Sequence, residues 1–125
     1  MKPAPFRYVR PTHVEEAVEA LAAEGPAAKP LAGGQSLIPA MNFRLAQPAV
    51  LVDLGRLEEL RGIREAAAEG TLTGGSVSEG AAPGLLIGAM TRHSDIERSD
   101  LVRRHAPLLA DATRWIAHPQ IRNRG

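Results

Sequence analysis

The 125-residue sequence contains no cysteine. That absence excludes disulfides, thiolate metal sites, iron–sulfur clusters and cysteine nucleophiles within the chain. Aromatic residues make up only 3%, so a core has to be assembled from Leu, Ile, Val and Ala. No apolar run approaches the roughly 18 residues needed to cross a bilayer. The opening Met1-Lys2-Pro3-Ala4-Pro5-Phe6 holds no apolar stretch of the kind that directs secretion. Charge of either sign is in no surplus. The 15 Lys and Arg stand against 14 Asp and Glu for a net +1, which gives no case for a nucleic-acid partner or a membrane surface. The expectation is a cytoplasmic globular protein of one domain's size.

What the sequence does hold is a regular alternation in its first half. Pro3, Pro5 and Pro11 fix φ and remove donors, which predicts an extended leader. Thr12-His13-Val14-Glu15 has the spacing of a capping box. Val14, Ala17, Val18 and Leu21 follow at helical spacing until Gly25-Pro26, predicting a helix over 12–24. Lys29 to Leu31 reads as a short strand running into Gly33-Gly34. Ser36 to Leu45 reads as a second helix with Leu37, Met41 and Leu45 on one face, ended by Pro48. Ala49 to Leu54 is a near-continuous apolar run, the mark of a strand buried on both faces. Helix, strand, glycine turn, helix and strand make a small α/β unit whose crossover is expected to be right-handed.

After Gly55 the pattern changes, and the shift marks a subdomain boundary. Leu60 to Arg64, Thr71 to Thr73 and Leu85 to Met90 read as short strands. The stretch from Gly70 to Gly84, with five glycines and one proline, reads as an exposed hairpin tip or insertion. Helical patterning resumes at Thr91, with Ser94 or Thr91 as N-cap. It continues from Leu101 to Ala117 as two amphipathic segments split by Pro107, with Trp115 and Ile116 expected inside. The remaining residues, from His118 to Gly125, are loop-like and basic.

Ala32-Gly33-Gly34-Gln35-Ser36 lies between a strand and a helix, the setting of a phosphate-binding turn. Glycine lets the backbone come close to an anion and reach positive φ. Successive N–H groups can share one concavity, the following helix start adds positive potential, and the Ser36 hydroxyl can donate. A plain strand–turn–helix without a ligand satisfies the same string. No Gly-Lys-Ser or Gly-Lys-Thr follows, and the third glycine of a dinucleotide fingerprint is missing.

The string from Lys29 to Pro39 resembles the first flavin motif of the FAD-binding subunit of molybdenum hydroxylases. That family includes the medium subunit of aerobic carbon monoxide dehydrogenase and the flavin part of xanthine dehydrogenase. Three more segments are similar to the family in the same order. Val52-Asp53-Leu54 with Leu60-Arg61-Gly62-Ile63 resembles the strand pair after the motif. Ile87 to His93 resembles its next strand and turn. Ile121-Arg122-Asn123-Arg124-Gly125 resembles the segment before a second motif, Thr-Ile-Gly-Gly, which is expected to follow Gly125 in a longer chain.

The resemblance implies an α+β fold: the N-terminal portion of a bilobal FAD-binding domain of the vanillyl-alcohol-oxidase (PCMH) type. Residues 1–55 would form the first lobe and 56–125 an incomplete second lobe. It implies FAD as cofactor, with Ala32, Gly33, Gly34, Gln35, Ser36 and Leu37 around the pyrophosphate and no catalytic or metal-binding side chain. It implies a molybdopterin-containing large subunit and an iron–sulfur small subunit as partners. Electrons would pass between the iron–sulfur clusters and NAD, oxygen or a quinone, while carbon monoxide, a purine or another heterocycle reacts on a different chain. The isolated chain is expected to be inactive. The alternative is a non-catalytic remnant or interaction fragment that binds no FAD on its own.

Other candidates read more simply. His13, His93, His105 and His118 lack metal-ligand spacing and suit surface or capping roles. Asp53 suits a turn at a strand end. Residues 92–125 carry seven Arg against four acids; the excess could steer FAD phosphates or an acidic subunit, although a solvated face is the safer reading. Thr91 and Arg92, just after a strand, are minor flavin-site candidates.

Overall fold

The computed structural model describes residues 2–66 and 84–125. The expected strand at Thr71–Thr73 and nearly all of the Gly70–Gly84 stretch lie outside the described residues.

The leader is extended, and its middle is a strand. β1 (Arg7–Val9), β2 (Ala28–Leu31) and β3 (Val50–Asp53) form a parallel sheet in the order β1-β3-β2. Tyr8 lies opposite Leu51, and Pro30 opposite Val52. The last of the three strands in sequence is therefore central, and the apolar run predicted there is buried on both faces: Val50, Leu51 and Val52 are each at most 2% exposed. Pro30 is tolerated because β2 is an edge strand. The carbonyls of Ala27 and Leu31 accept from Ala49 and Leu54, both at 2.9 Å, so residue 30 points away from β3 and no ladder donor is lost.

α1 (Val14–Glu24) crosses from β1 to β2 and packs on both β2 and β3. Ala17 joins Ala28, Val50, Val52 and Leu57 in one buried cluster, with Val9, Val14, Ala20, Leu21, Leu54 and Leu60 against it. Val18, counted with the inner face, is exposed instead. The capping box is displaced by one residue. His13 is the N-cap and gives no side-chain cap; Glu16 rather than Glu15 reaches back, accepting the Thr12 N–H at 2.9 Å and its hydroxyl at 3.3 Å. The Thr12 backbone hydrogen bond is the main reason that the Glu16 carboxyl sits below its ordinary pKa.

The second helix is shorter than its spacing suggested. α2 spans Leu37–Asn42 and buries Met41, but Leu45 is 83% exposed. Arg44 adopts φ +58, and the Leu45 and Ala46 N–H groups turn back to the Ala40 carbonyl. That reversal ends the helix before Leu45 can continue the face.

Beyond Asp53 a tight turn at Glu58–Leu60 leads to β4 (Ile63–Ala66), which pairs antiparallel with β5 (Gly84–Ile87). The residues up to Met90, expected in the strand, form a turn in which the Met90 N–H reaches the Leu60 carbonyl at 2.8 Å. α3 (His93–Arg98), α4 (Asp100–His105) and α5 (Pro107–Thr113) follow, with α4 against both β4 and β5, and α5 against α3 and α4. Neither expected cap begins α3: its N-cap is Arg92 and Ser94 is buried inside the first turn. Ser99 caps α4 instead, accepting from the Val102 N–H. Pro107 opens α5, where its missing N–H costs nothing. α6 (Pro119–Arg122) closes the described chain. Trp115, expected inside, is 83% exposed, and Ile116 is 39% exposed. α5 stops at Thr113, so helical spacing no longer decides where either side chain points. Among the described residues no helix is long and apolar enough to cross a membrane.

Candidate functional site

The carboxyl ends of β1, β2 and β3 converge on one cleft of about 440 Å³. Parallel strands in α/β sheets deliver their following loops to the same side, and ligands bind there for that reason. Arg10 comes from the end of β1, Ala32 and Gly33 from the end of β2, and Asp53 and Gly55 from the end of β3. The opposite wall comes from the second half: Arg61, Met90, Arg92, Asn123 and Arg124. Four arginines thus face a single carboxylate, which makes the cleft a place for an anion.

Asp53 is already engaged. It accepts the Gly55 N–H at 2.9 Å, which fixes the turn, and takes the Arg10 Nε at 3.1 Å. The Tyr8 hydroxyl also donates to it. That hydrogen bond, more than burial, raises the Tyr8 phenol above its ordinary pKa. Arg61 donates to the Gly55 carbonyl at 2.9 Å. Its Nε is buried with no hydrogen-bond acceptor and lies 3.4 Å from Glu58, an ion-pair distance without hydrogen-bond geometry. Arg92 and Arg124 form no ion pair among the described residues.

Of the turn residues singled out from sequence, Ala32 and Gly33 line the cleft, while Gly34, Gln35, Ser36 and Leu37 do not. Gly34 takes φ +75, the left-handed conformation for which glycine was expected. Gly33 is required for a different reason. A Cβ there would lie 2.1 Å from the Arg124 carbonyl oxygen and 2.7 Å from the Gly125 Cα, so the turn is in backbone contact with the end of the described chain. Carbonyls in the turn are used internally: the Gly34 carbonyl accepts from the Ile38 N–H at 3.1 Å and the Gly33 carbonyl from the Gln35 side chain at 3.2 Å. The N–H groups from Gly33 to Leu37 donate to no acceptor among the described residues. A run of uncommitted donors beside a cationic cleft fits a phosphate or pyrophosphate, and FAD carries the latter. α2 is only six residues long, so it offers first-turn N–H groups rather than a sizeable macrodipole.

Arg92, a minor candidate from sequence, lines the cleft; Thr91 instead donates to the Gly62 carbonyl at 2.9 Å. Arg10 and Arg61 were missed. The signal for Arg10 was its place directly after a strand of the parallel sheet, which the prolines on either side concealed. Arg61 has no helix or strand spacing to mark it: it reaches the Gly55 carbonyl, six residues back, across the tight turn at Glu58–Leu60.

The family described as the FAD binding domain in molybdopterin dehydrogenase matches residues 4–125. The carbon monoxide dehydrogenase medium chain of Hydrogenophaga pseudoflava is 46% identical over 125 residues, covering all of this chain and 38% of that one. The 6-hydroxypseudooxynicotine dehydrogenase complex subunit alpha of Paenarthrobacter nicotinovorans is 43% identical, covering all of this chain and 37% of that one. Among solved structures, the carbon monoxide dehydrogenase of Hydrogenophaga pseudoflava superposes with a TM-score of 0.84 at 45% identity, over all of this chain and 38% of that one. Quinoline 2-oxidoreductase from Pseudomonas putida 86 does so with a TM-score of 0.82 at 34% identity. The chain therefore spans less than two fifths of the length of the curated relatives it matches. With its mixed α+β architecture and its glycine turn at the cleft, the chain belongs to the family of FAD-binding domains of molybdopterin dehydrogenases and corresponds to the N-terminal part of such a domain.

Proposed function

We propose that the chain is part of the FAD-carrying, electron-transferring subunit of a molybdopterin-dependent dehydrogenase of the carbon monoxide or xanthine dehydrogenase type. A molybdopterin-containing large subunit and an iron–sulfur small subunit are its partners, and the complex works in the cytoplasm. One observation carries the site assignment: uncommitted backbone donors from Gly33 to Leu37 beside a cleft that holds four arginines and one carboxylate. The names of the relatives agree with this reading, among them the xanthine dehydrogenase FAD-binding subunit of Escherichia coli O157:H7, 33% identical over 116 residues.

In this reading Ala32 to Leu37 hold the pyrophosphate through backbone N–H groups, and the Ser36 hydroxyl adds a donor. Arg92 and Arg124 offset the phosphate charge from the facing wall. Arg10 is spent on Asp53 and keeps the floor of the cleft rigid. Residues 1–55 make the first lobe and 56–125 the beginning of the second, so the cleft lies where the two meet. When bound, FAD supplies the redox chemistry, accepting electrons from an iron–sulfur partner for delivery to an external acceptor. No side chain of this segment is assigned a catalytic role, and on its own it turns over no substrate.

The test is flavin content and affinity. The purified chain should retain flavin bands in its visible spectrum or take up FAD in a fluorescence titration with micromolar affinity, about −8 kcal/mol. FMN, which lacks the pyrophosphate, should bind far more weakly. A folded chain with no preference for FAD over FMN would refute the assignment of these residues to the pyrophosphate.

A further inference from the structure

Arg122 does not line the cleft, yet it is the most buried arginine in its neighbourhood, at 9% exposure. Its Nε donates to Glu97 of α3 at 2.9 Å. Its Nη1 donates to the carbonyls of Ile116 and Ala117, both at 3.1 Å. Ala117 has φ +47, a conformation unfavourable for a residue with a Cβ. One guanidinium thus secures a strained turn between α5 and α6 and ties α6 to α3. A second tie lies three residues on, where the Gly125 carbonyl accepts the His93 N–H at 2.8 Å. Between these two ties runs the backbone that meets Gly33, and Asn123 and Arg124 reach the cleft from it.

We infer that the Glu97–Arg122 pair is a positioning device for the flavin turn: it sets how closely the Asn123–Gly125 backbone stands to Gly33, and so fixes the width of the cleft and the placement of Arg124. Arg122 touches no ligand in this arrangement. It acts through the segment that follows it. The fork geometry is essential, because three acceptors in different directions are held by a planar group with fixed donors, which a lysine ammonium cannot reproduce. The inference rests on the proposed assignment of the glycine turn to FAD.

The experiment compares the wild-type chain with Arg122→Met, Arg122→Lys and Glu97→Gln. Val102→Ala serves as a control that removes buried volume between α4 and its neighbours, away from the cleft. Two quantities are read: the dissociation constant for FAD, and the amide chemical shifts of Gly33 and Gly34 without FAD. Arg122→Met and Arg122→Lys should weaken FAD binding by about ten- to a hundredfold, the range that supporting groups around metal ligands show. Both should displace the Gly33 and Gly34 resonances, while Val102→Ala moves neither quantity. Glu97→Gln, which keeps an acceptor for the Nε, should do the same to a smaller extent and carries the test if Arg122→Met does not fold. Unchanged Gly33 and Gly34 shifts, or unchanged FAD affinity in folded Arg122 variants, would overturn the positioning role alone. Failure of the wild-type chain to bind FAD would overturn the site assignment and this role together.

Discussion

Replacing Gly33 by Ala is the sharpest test of the turn, because Gly33 does not have a positive φ. Alanine is therefore compatible with its backbone, and any penalty must come from what the new methyl meets. The methyl would lie 2.1 Å from the Arg124 carbonyl oxygen and 2.7 Å from two further backbone atoms. Backbone cannot rotate aside as a side-chain end can, so the turn and the 123–125 segment must separate. Forced insertion of a methyl into packed structure costs about 1–3 kcal/mol. If binding FAD requires the original spacing, that cost appears in affinity as a weakening of roughly five- to 150-fold. The melting temperature should fall by at least about 4 °C. Gly34 makes the contrast. It needs the left-handed conformation, at φ +75, and its methyl would meet only side-chain atoms, the Ile38 Cγ1 at 3.1 Å and the Leu31 Cδ1 at 3.3 Å. Asparagine, which tolerates that conformation, should be accepted at 34 and rejected at 33. Fluorescence titration with FAD and thermal denaturation of both variants decide the matter. Wild-type affinity and melting temperature in Gly33→Ala would refute the claim that the two backbones must stand in contact.

Asp53→Asn should lower the pKa of Tyr8, the only tyrosine in the chain, toward the ordinary phenol value, read by near-ultraviolet absorbance titration. The wild-type hydrogen bond favours the protonated phenol. Its contribution to folding is therefore present below the ordinary phenol pKa and is lost as pH rises through the elevated folded value. Met41→Ala, which empties a site only 2% exposed, should cost about 2–5 kcal/mol in denaturant unfolding. Ser99→Ala removes the side-chain cap of α4 and should cost about 0.5–2 kcal/mol by the same assay. Trp115→Ser, at a side chain 83% exposed, should leave the stability of this chain within about 0.5 kcal/mol of wild type.

What could be read directly from the residues was whatever local pattern controls. A β-strand buried on both faces needs apolar residues throughout, and Val50 to Val52 supplied them. The glycine turn announced itself because Gly34 requires a conformation that other residues avoid. The failures came where a non-local or unusual event decided the outcome. Arg44 turns left-handed without being glycine or asparagine, so nothing in the sequence warned that α2 would end before Leu45. The three prolines around Arg7 to Val9 correctly implied extension, yet pairing with β3 depends on residues more than forty positions away. The cationic cleft was the least visible feature of all. Arg10, Arg61, Arg92 and Arg124 are scattered through the chain, and only the folding of one half against the other gathers them. The sequence offered Arg92 as a minor candidate and Arg124 within a basic excess, but gave no sign of Arg10 and Arg61 beside them.

The edge position of Pro30 has a consequence for solubility. A parallel sheet with an open edge is a template for another extended chain, and an uncovered strand of apolar character invites aggregation. β2 carries its proline where residue 30 points away from β3. An incoming strand would meet a missing donor and a pyrrolidine ring at the middle of the edge. The same residue that a central strand could not accommodate thus guards this edge of the sheet against templating another strand, two residues before the glycine turn begins at Ala32.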